Sequence, residues 1–267
     1  AGYTGTEVAA NGQLLTRHAA EQCPGLRREP VRWLLIDIAQ RIMPELDQRL
    51  SVAAHKVLTQ RGVEVRTETA VAEASYEGVR LSTGEFVPTR TLIWCVGVRP
   101  DPLIESLGLP TNKGRLVVDQ YLRVPGHPEI YSCGDAAAVP DLTRPGQLTG
   151  MTAQHAQRQG HCAGYNIAAS HYGSAPRAYK HRDLGFVVDL GGAKAAANVM
   201  GLPLSGLPAK VVARSYHLLA VPDNRIRIAT DWALDSVLSR PAVQLGVVPA
   251  ETVRLAATAG ARPGFVE

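Results

Sequence analysis

Several patterns are missing from this 267-residue sequence, and each absence excludes a class of protein. No apolar run approaches the roughly 18 residues that a bilayer-crossing helix needs, and no signal peptide is expected. The 25 glycines and 18 prolines follow no Gly-X-Y period, which excludes collagen. Internal repeats and low-complexity tracts are absent. The four cysteines, Cys23, Cys95, Cys133 and Cys162, form no C-x-x-C pair. No His/Cys cluster has zinc spacing, so no metal and no disulfide framework are expected. Cys95 lies inside an apolar run, as a buried free thiol does. A reducing compartment, the cytoplasm, follows. Aromatic residues do not interleave with basic ones, so a nucleic-acid stacking surface is not expected.

What is present is an ordinary globular composition, 45% hydrophobic and 19% charged. That supports one large or two smaller domains with real cores. The net charge of +4 is unevenly placed. Residues 1–175 carry 17 basic and 17 acidic side chains, whereas residues 176–267 carry 11 and 7. The basic third favours an anionic partner, such as a membrane surface.

Along the chain, Gly5–Gln22 reads as a helix interrupted at Asn11-Gly12, and Cys23–Pro30 as a polar loop. Val31–Asp37 reads as a buried strand, Leu46–Arg61 as a helix, and Val63–Val65 as the next strand. Short strands follow at Val71–Ala74, Val79–Leu81 and Phe86–Val87. Thr91–Val98 (TLIWCVGV) is a near-continuous apolar strand of the kind found in a parallel sheet covered on both faces. Strand, helix and strand alternate, so the class is α/β. The breaker Arg99-Pro100-Asp101-Pro102 marks a domain boundary. Strands are expected within Arg115–Val124 and at Glu129–Cys133, and a helix over Met151–Ser170.

The opening Gly2-Tyr3-Thr4-Gly5 fits the back half of a G-x-G-x-x-G dinucleotide loop. There, glycines let backbone approach a pyrophosphate that faces a helix N-terminus. An acid ending the second strand binds ribose hydroxyls in that motif, and Asp37 ends VRWLLID. Asp37 lies 32 residues past Gly5, against about 20 in the motif, and the 23–30 loop accounts for the excess. A carboxylate here disfavours a 2′-phosphate, so NADH is expected over NADPH. Arg41 is close by but lies past the strand. Because the sequence opens inside the loop, it reads as the back portion of a protein longer by about one domain, ~150 residues. A gap in the NADH-binding sheet is the expected consequence.

GYTGTEVAA, LLIDIAQRIMPELD, TLIWCVGVRPDPLIESLGL, GRLVVDQYLRVPGHPEIYSCGDAA and TAQHAQRQG occur in that order. Together they resemble the type II NADH:quinone oxidoreductases, within the FAD-dependent pyridine nucleotide oxidoreductases. The resemblance covers residues 1–200 well and the remainder loosely. It implies a Rossmann-like NAD-binding domain inserted in an FAD-binding domain, incomplete at the N-terminus, with a C-terminal α+β segment. The implied domains are 1–99 for NADH, 100–175 for the second part of the FAD domain, and 176–267 for the C-terminal domain.

The resemblance also implies roles. Gly2, Tyr3, Thr4 and Gly5 match the NADH phosphate loop, and Glu7 the acid beside the nicotinamide. Glu7 is expected on the first helical turn, where the macrodipole favours a carboxylate. Asp37 matches the ribose acid, a glutamate more often in the family, and Gly97 the glycine where backbone passes NADH. Gly134 and Asp135 match the second FAD motif, in which the aspartate holds the ribitol. Thr152, Ala153 and Gln154 match the helix start that covers the flavin ring and borders the quinone site. Arg158, flanked by Gln157 and Gln159, stands where the family often has a second glutamine. Tyr179–Gly192 matches the strand pair that follows, with Gly185 near the flavin.

FAD and NADH are therefore the implied cofactors, and hydride passes from nicotinamide to flavin and electrons on to a quinone. Glu7 and Gln154 are the residues expected to tune that chemistry. Leu207–Val221 reads as an amphipathic helix with Lys210, Arg214 and His217 on a basic face, suited to the inner face of an anionic membrane. Trp232, Val237 and Leu238 extend the apolar surface, and residues 250–267 read as a frayed tail. A homodimer is compatible with all of this. Two other readings stay open: a soluble flavin reductase with a ferredoxin-like or small-molecule acceptor, and a non-catalytic NADH- or partner-binding fragment.

Overall fold

The computed structural model describes residues 1–22, 31–181, 184–221 and 223–238. The 23–30 loop, Arg182-Asp183 and the 250–267 tail of the sequence reading lie outside them. The chain divides into two compact units. Unit 1 takes 1–90, 187–197 and 203–267, and unit 2 takes 91–186 and 198–202.

Unit 1 begins with helix α1 (Tyr3–Gln22), which runs straight through Asn11-Gly12. Gly12 serves packing: a Cβ there would sit 2.3 Å from the Trp33 ring, so only glycine admits the indole. Trp33 opens strand β1 (Trp33–Ile36), and its Nε1–H donates to Thr16 Oγ1 at 2.9 Å. Helix α2 (Gln48–Gln60) starts where Asp47 Oδ1 accepts the Arg49 N–H at 2.8 Å. It ends at Gly62, whose φ of 82° turns the chain into β2 (Val63–Arg66). β1 and β2 pair in parallel with Trp33 opposite Val63 and Ile36 opposite Arg66. This helix–strand–helix–strand order is the dinucleotide-binding half of an α/β fold. Strands β3 (Val71–Ala74), β4 (Gly78–Leu81) and β5 (Phe86–Pro88) form an antiparallel meander. Val79, Leu81 and Val87 are its buried core, against Leu34 and Ile36 of β1.

Thr91–Val98 forms no strand, contrary to the sequence reading. Leu92, Ile93, Trp94, Val96 and Val98 are 47–71% exposed. Apolar composition supplies strand propensity, but a strand exists only where its backbone joins a sheet, and the segment belongs to no sheet among the described residues. Cys95 accordingly sits half-buried rather than in a core.

In unit 2, the short helix α3 (Leu103–Ser106) precedes β6 (Thr111–Asn112), β7 (Arg115–Val117), β8 (Arg123–Val124) and β9 (His127–Tyr131). β7 pairs in parallel with β10 (Ala137–Ala138) and antiparallel with β6. Helix α4 (Ala153–Tyr172) is capped by Thr152, whose Oγ1 accepts the His155 N–H, and it stops at left-handed Gly173. Leu116, Leu122, Val124, Val139 and Ala163 lie in one buried cluster with Tyr179. β11 (Gly185–Asp189), β12 (Ala195–Val199) and β13 (Leu202–Ser205) form a third three-stranded sheet. α5 (Leu207–Ala220) and α6 (Arg225–Val237) follow in unit 1.

The Gly12 contact pits two effects against each other. Gly12→Ala raises helix propensity by about 1 kcal/mol, yet overpacks a pinned indole at a cost of about 1–3 kcal/mol. Urea unfolding of Gly12→Ala is expected to show net destabilisation, and a gain in stability would contradict the close seating of α1 on β1.

Candidate functional site

In unit 1, Gly2 and the first turn of α1 (Tyr3, Thr4, Gly5) form a helix N-terminus. Its first N–H groups have no intrahelical acceptors by geometry, and the dipole favours an anion there. Asp37 follows the last residue of β1, and its carboxylate lies against the backbone nitrogen of Ala1 and accepts the Ala39 N–H at 2.8 Å. The structure thus places Asp37 beside Ala1, ahead of the first turn of α1. Arg41 is engaged elsewhere: its Nη2 donates to Pro44 O at 2.6 Å and Leu46 O at 2.7 Å.

Glu7 sits on the second turn of α1, not the first, because the helix starts at Tyr3 rather than Gly5. Tertiary contacts hold it there. Its Oε1 accepts the Asp189 N–H at 2.8 Å. The Asp189 carboxylate in turn takes the Lys210 ammonium at 2.5 and 2.6 Å and the Gly191 N–H at 2.7 Å. Asn11 Nδ2 donates to both Glu7 O and Asp189 O. Arg61 fastens the adjoining turn by donating to Ala10 O, Leu190 O and Gly191 O. Burial pushes the Glu7 carboxyl above its ordinary pKa, partly offset by the Asp189 N–H and by His217 and Lys210.

Lys210 departs from the reading of α5 as a helix with a basic solvent face, while Arg214 and His217 are exposed as that reading expects. Lys210 is 8% exposed and spent on Asp189, and the buried face is Ala209, Lys210 and Ala213. Leu207, Val211 and Leu219 are exposed at 56–69%, and Arg214 and His217 are exposed beside them. The Asp189 carboxylate of β11 outweighs the helical periodicity: burying a lysine is favourable only against a charge partner. Arg214 lies over the Trp232 ring at 5.1 Å.

In unit 2, Gly134 has a φ of 66°, a conformation that favours glycine, and opens a single 3-10 turn (Gly134–Ala136). The turn leaves the Asp135 carboxylate exposed. Gln159 of α4 fixes it: Oε1 accepts the Gly134 N–H at 2.7 Å, and Nε2 donates to Thr149 Oγ1 at 3.0 Å. Gln159 is 1% exposed. Sequence reasoning named it only as a neighbour of Arg158, although its spacing of one and a half turns from Gln154 was visible. Thr152 and Ala153 are exposed at the start of α4. Gln154 Nε2 donates to Gly185 O at 2.6 Å, while its Oε1 is buried without a partner among the described residues. A buried amide oxygen in that state suits a donor group of a ligand. Gly97 lies on the exposed 91–98 segment with a φ of 97°. An open depression of about 460 Å³ lies elsewhere, lined by Glu129, Tyr131, Ile167 and Ser170 among others. Among the described residues no His, Cys, Asp or Glu cluster is placed to hold a metal, and no helix is long and apolar enough to cross a membrane.

Residues 1–160 match the pyridine nucleotide-disulphide oxidoreductase family. The chain is 32% identical over 223 residues to a mitochondrial internal alternative NAD(P)H-ubiquinone oxidoreductase of Solanum tuberosum, covering 76% of this chain and 44% of the relative. It is 30% identical over 250 residues to the demethylphylloquinone reductase of Synechocystis, covering 90% and 56%. The chain thus spans about half the length of these relatives. The structure of NDH2 from Plasmodium falciparum in complex with NADH superposes with a TM-score of 0.77 at 15% identity, over 91% of this chain and 66% of that one. That likeness shows the fold: a pyridine nucleotide-disulphide oxidoreductase α/β fold.

The Glu7 environment sets a pH signature. A carboxyl whose folded pKa is raised stabilises the fold below its unfolded pKa, and that contribution is lost as pH rises through the folded value. Glu7→Gln keeps an oxygen for the Asp189 N–H and removes the ionisation. At neutral pH its melting temperature is expected to equal or exceed the wild type's, with the difference shrinking as pH falls through the raised folded value towards 4.5, the ordinary glutamate value. A variant less stable than wild type at neutral pH only would contradict burial as the leading influence on Glu7.

Proposed function

The chain belongs to the pyridine nucleotide-disulphide oxidoreductase family, and from that premise we propose that it is the NADH- and flavin-handling part of a non-proton-pumping NADH:quinone oxidoreductase. One observation carries the reading: Gln159 locks the Gly134-Asp135 turn to the same helix whose start presents Gln154 with a buried, unpartnered oxygen. A fixed backbone turn, an exposed carboxylate and an idle amide oxygen suit the polyol and ring of a flavin. Gly134, Asp135, Thr152, Ala153 and Gln154 would hold FAD, the carboxylate accepting ribityl hydroxyls.

In unit 1, Gly2, Tyr3, Thr4 and Gly5 would cradle the NADH pyrophosphate at the α1 N-terminus, and Asp37 would accept its ribose hydroxyls. Gly97 is assigned to the backbone that passes NADH. Bound flavin supplies the two-electron chemistry, accepting hydride from nicotinamide and passing electrons on. The protein's own part is orientation and electrostatics. Glu7, held by the Asp189 N–H with its pKa raised, is a carboxyl poised to carry charge or a proton beside the nicotinamide. The printed names of the relatives from Solanum tuberosum and Synechocystis support a quinone as acceptor.

The exposed Leu207, Val211 and Leu219 of α5, with Ile226 and Val237 of α6, support a membrane-surface role for this region. Arg214, Arg225 and Arg227 supply charge for anionic lipid, in place of the buried Lys210. The protein so placed works at the inner face of the cell membrane, as a homodimer.

The reading is tested on the protein purified at its full native length, by quinone reduction with NADH and with NADPH. NADH is expected to be preferred. Asp37→Ser is expected to narrow that preference by about tenfold, the worth of one charged hydrogen bond to ribose. Equal use of both nucleotides by the wild type would contradict the assignment of Asp37, and absence of any nucleotide-dependent turnover would contradict the enzyme reading.

A further inference from the structure

Behind the first turn of α4 lies a cluster of titratable groups that the cofactor assignments do not use. His155 is 9% exposed, and its Nδ1 stands 2.9 Å from the Tyr179 hydroxyl. The same hydroxyl is 3.4 Å from Nδ1 of His181. The two imidazoles stack with centroids 3.9 Å apart and planes tilted by 33°. Tyr179 itself is 4% exposed, and burial raises its pKa.

A phenol carries one proton. It donates to one ring nitrogen and accepts from the other, so the two Nδ1 atoms hold opposite protonation states. Moving one proton at each end of the hydroxyl converts this arrangement into its mirror. The surroundings limit the charge it holds. Arg158 Nη1 lies 3.5 Å from His181 Nδ1 and also acts on Tyr179. Asp141 faces both Tyr179 and His155, with Arg144 beside it, and Cys162 faces Tyr179. Two stacked rings next to a guanidinium do not both ionise readily, while Asp141 favours one positive charge.

We propose that His155, Tyr179 and His181 form a proton relay that supplies the proton hydride transfer leaves missing. The inference rests on the quinone reading. NADH delivers a hydride, which is two electrons and one proton, and a quinone becoming a quinol takes two electrons and two protons. The second proton comes from the protein. His181, protonated on both nitrogens, passes its Nδ1 proton to the Tyr179 oxygen as the hydroxyl proton passes to His155 Nδ1. The imidazolium of His155 then releases its Nε2 proton to the reduced acceptor. Uptake of one solvent proton at half-buried His181, with reversal of the tautomers, restores the start. His155 follows Gln154 on the turn assigned to the flavin and acceptor, so the relay ends beside that site.

The test compares quinone with ferricyanide, a one-electron acceptor that takes no proton, in the full-length flavin-loaded enzyme. Tyr179→Phe keeps the buried ring and removes only the hydroxyl. It is expected to lower quinone turnover by about tenfold or more relative to ferricyanide turnover, with a changed solvent deuterium isotope effect on the quinone reaction. A ratio equal to the wild type's would overturn the relay. Histidine NMR titration gives a reading independent of turnover. His155 and His181 are expected to titrate as a coupled pair in the wild type and to uncouple in Tyr179→Phe. Independent titration in the wild type would also overturn the relay. A wild type that reduces ferricyanide but no quinone would instead overturn the quinone reading, even with the coupling intact.

Discussion

Asp189 is the point on which the arrangement of unit 1 depends. Its N–H holds Glu7 of α1, its carboxylate holds Lys210 of α5, and its carbonyl accepts from Asn11. Three segments far apart in sequence therefore meet on one strand-end residue. The buried Lys210 ammonium is not stable alone there, because lysine buried without a carboxylate carries a desolvation penalty of several kcal/mol, whereas the Asp189 side chain is half exposed. The pair thus commits α5 to a single seating, and the backbone hydrogen bond commits Glu7 to a single position. Arg61 adds a second fastening one residue further on, across Leu190 and Gly191.

Unit 2 solves a similar problem with neutral groups. Gln159 spans from Thr149 to Gly134 and fixes a left-handed turn that the backbone alone holds weakly. Asn166, one helical stretch further along α4, does the same for the Arg177 backbone, accepting its N–H at 2.7 Å and donating to its carbonyl at 2.9 Å. Buried amides of this kind cost little when every hydrogen bond is made. Their geometry is what makes the unpartnered oxygen of Gln154 stand out on the same helix.

Local features of this fold were legible in the sequence because local rules decide them. The Gly62 turn and the alternation of α1, β1, α2 and β2 follow from spacing and residue type, whereas the helix start, read at Leu46, lies after the Asp47 cap. Asp37 was singled out because it ends a strand after a glycine-rich turn, and the structure places it beside Ala1, ahead of α1. Gly12 looked like a helix break because the Trp33 ring that needs it is 21 positions away. Thr91–Val98 looked like a strand because periodicity reports apolar content and not the presence of a pairing neighbour. Lys210 looked like a surface charge because its partner lies on another strand. The His155–Tyr179–His181 cluster was invisible for the same reason, being assembled from α4 and the segment before β11.

The central claim is that this chain carries the nicotinamide and flavin contacts of an NADH-oxidising flavoprotein. It is tested most directly by mixing the full-length, flavin-loaded protein anaerobically with NADH and following flavin absorbance. The account predicts rapid bleaching of the oxidised flavin band, faster with NADH than with NADPH. A bound flavin that NADH leaves oxidised would contradict it.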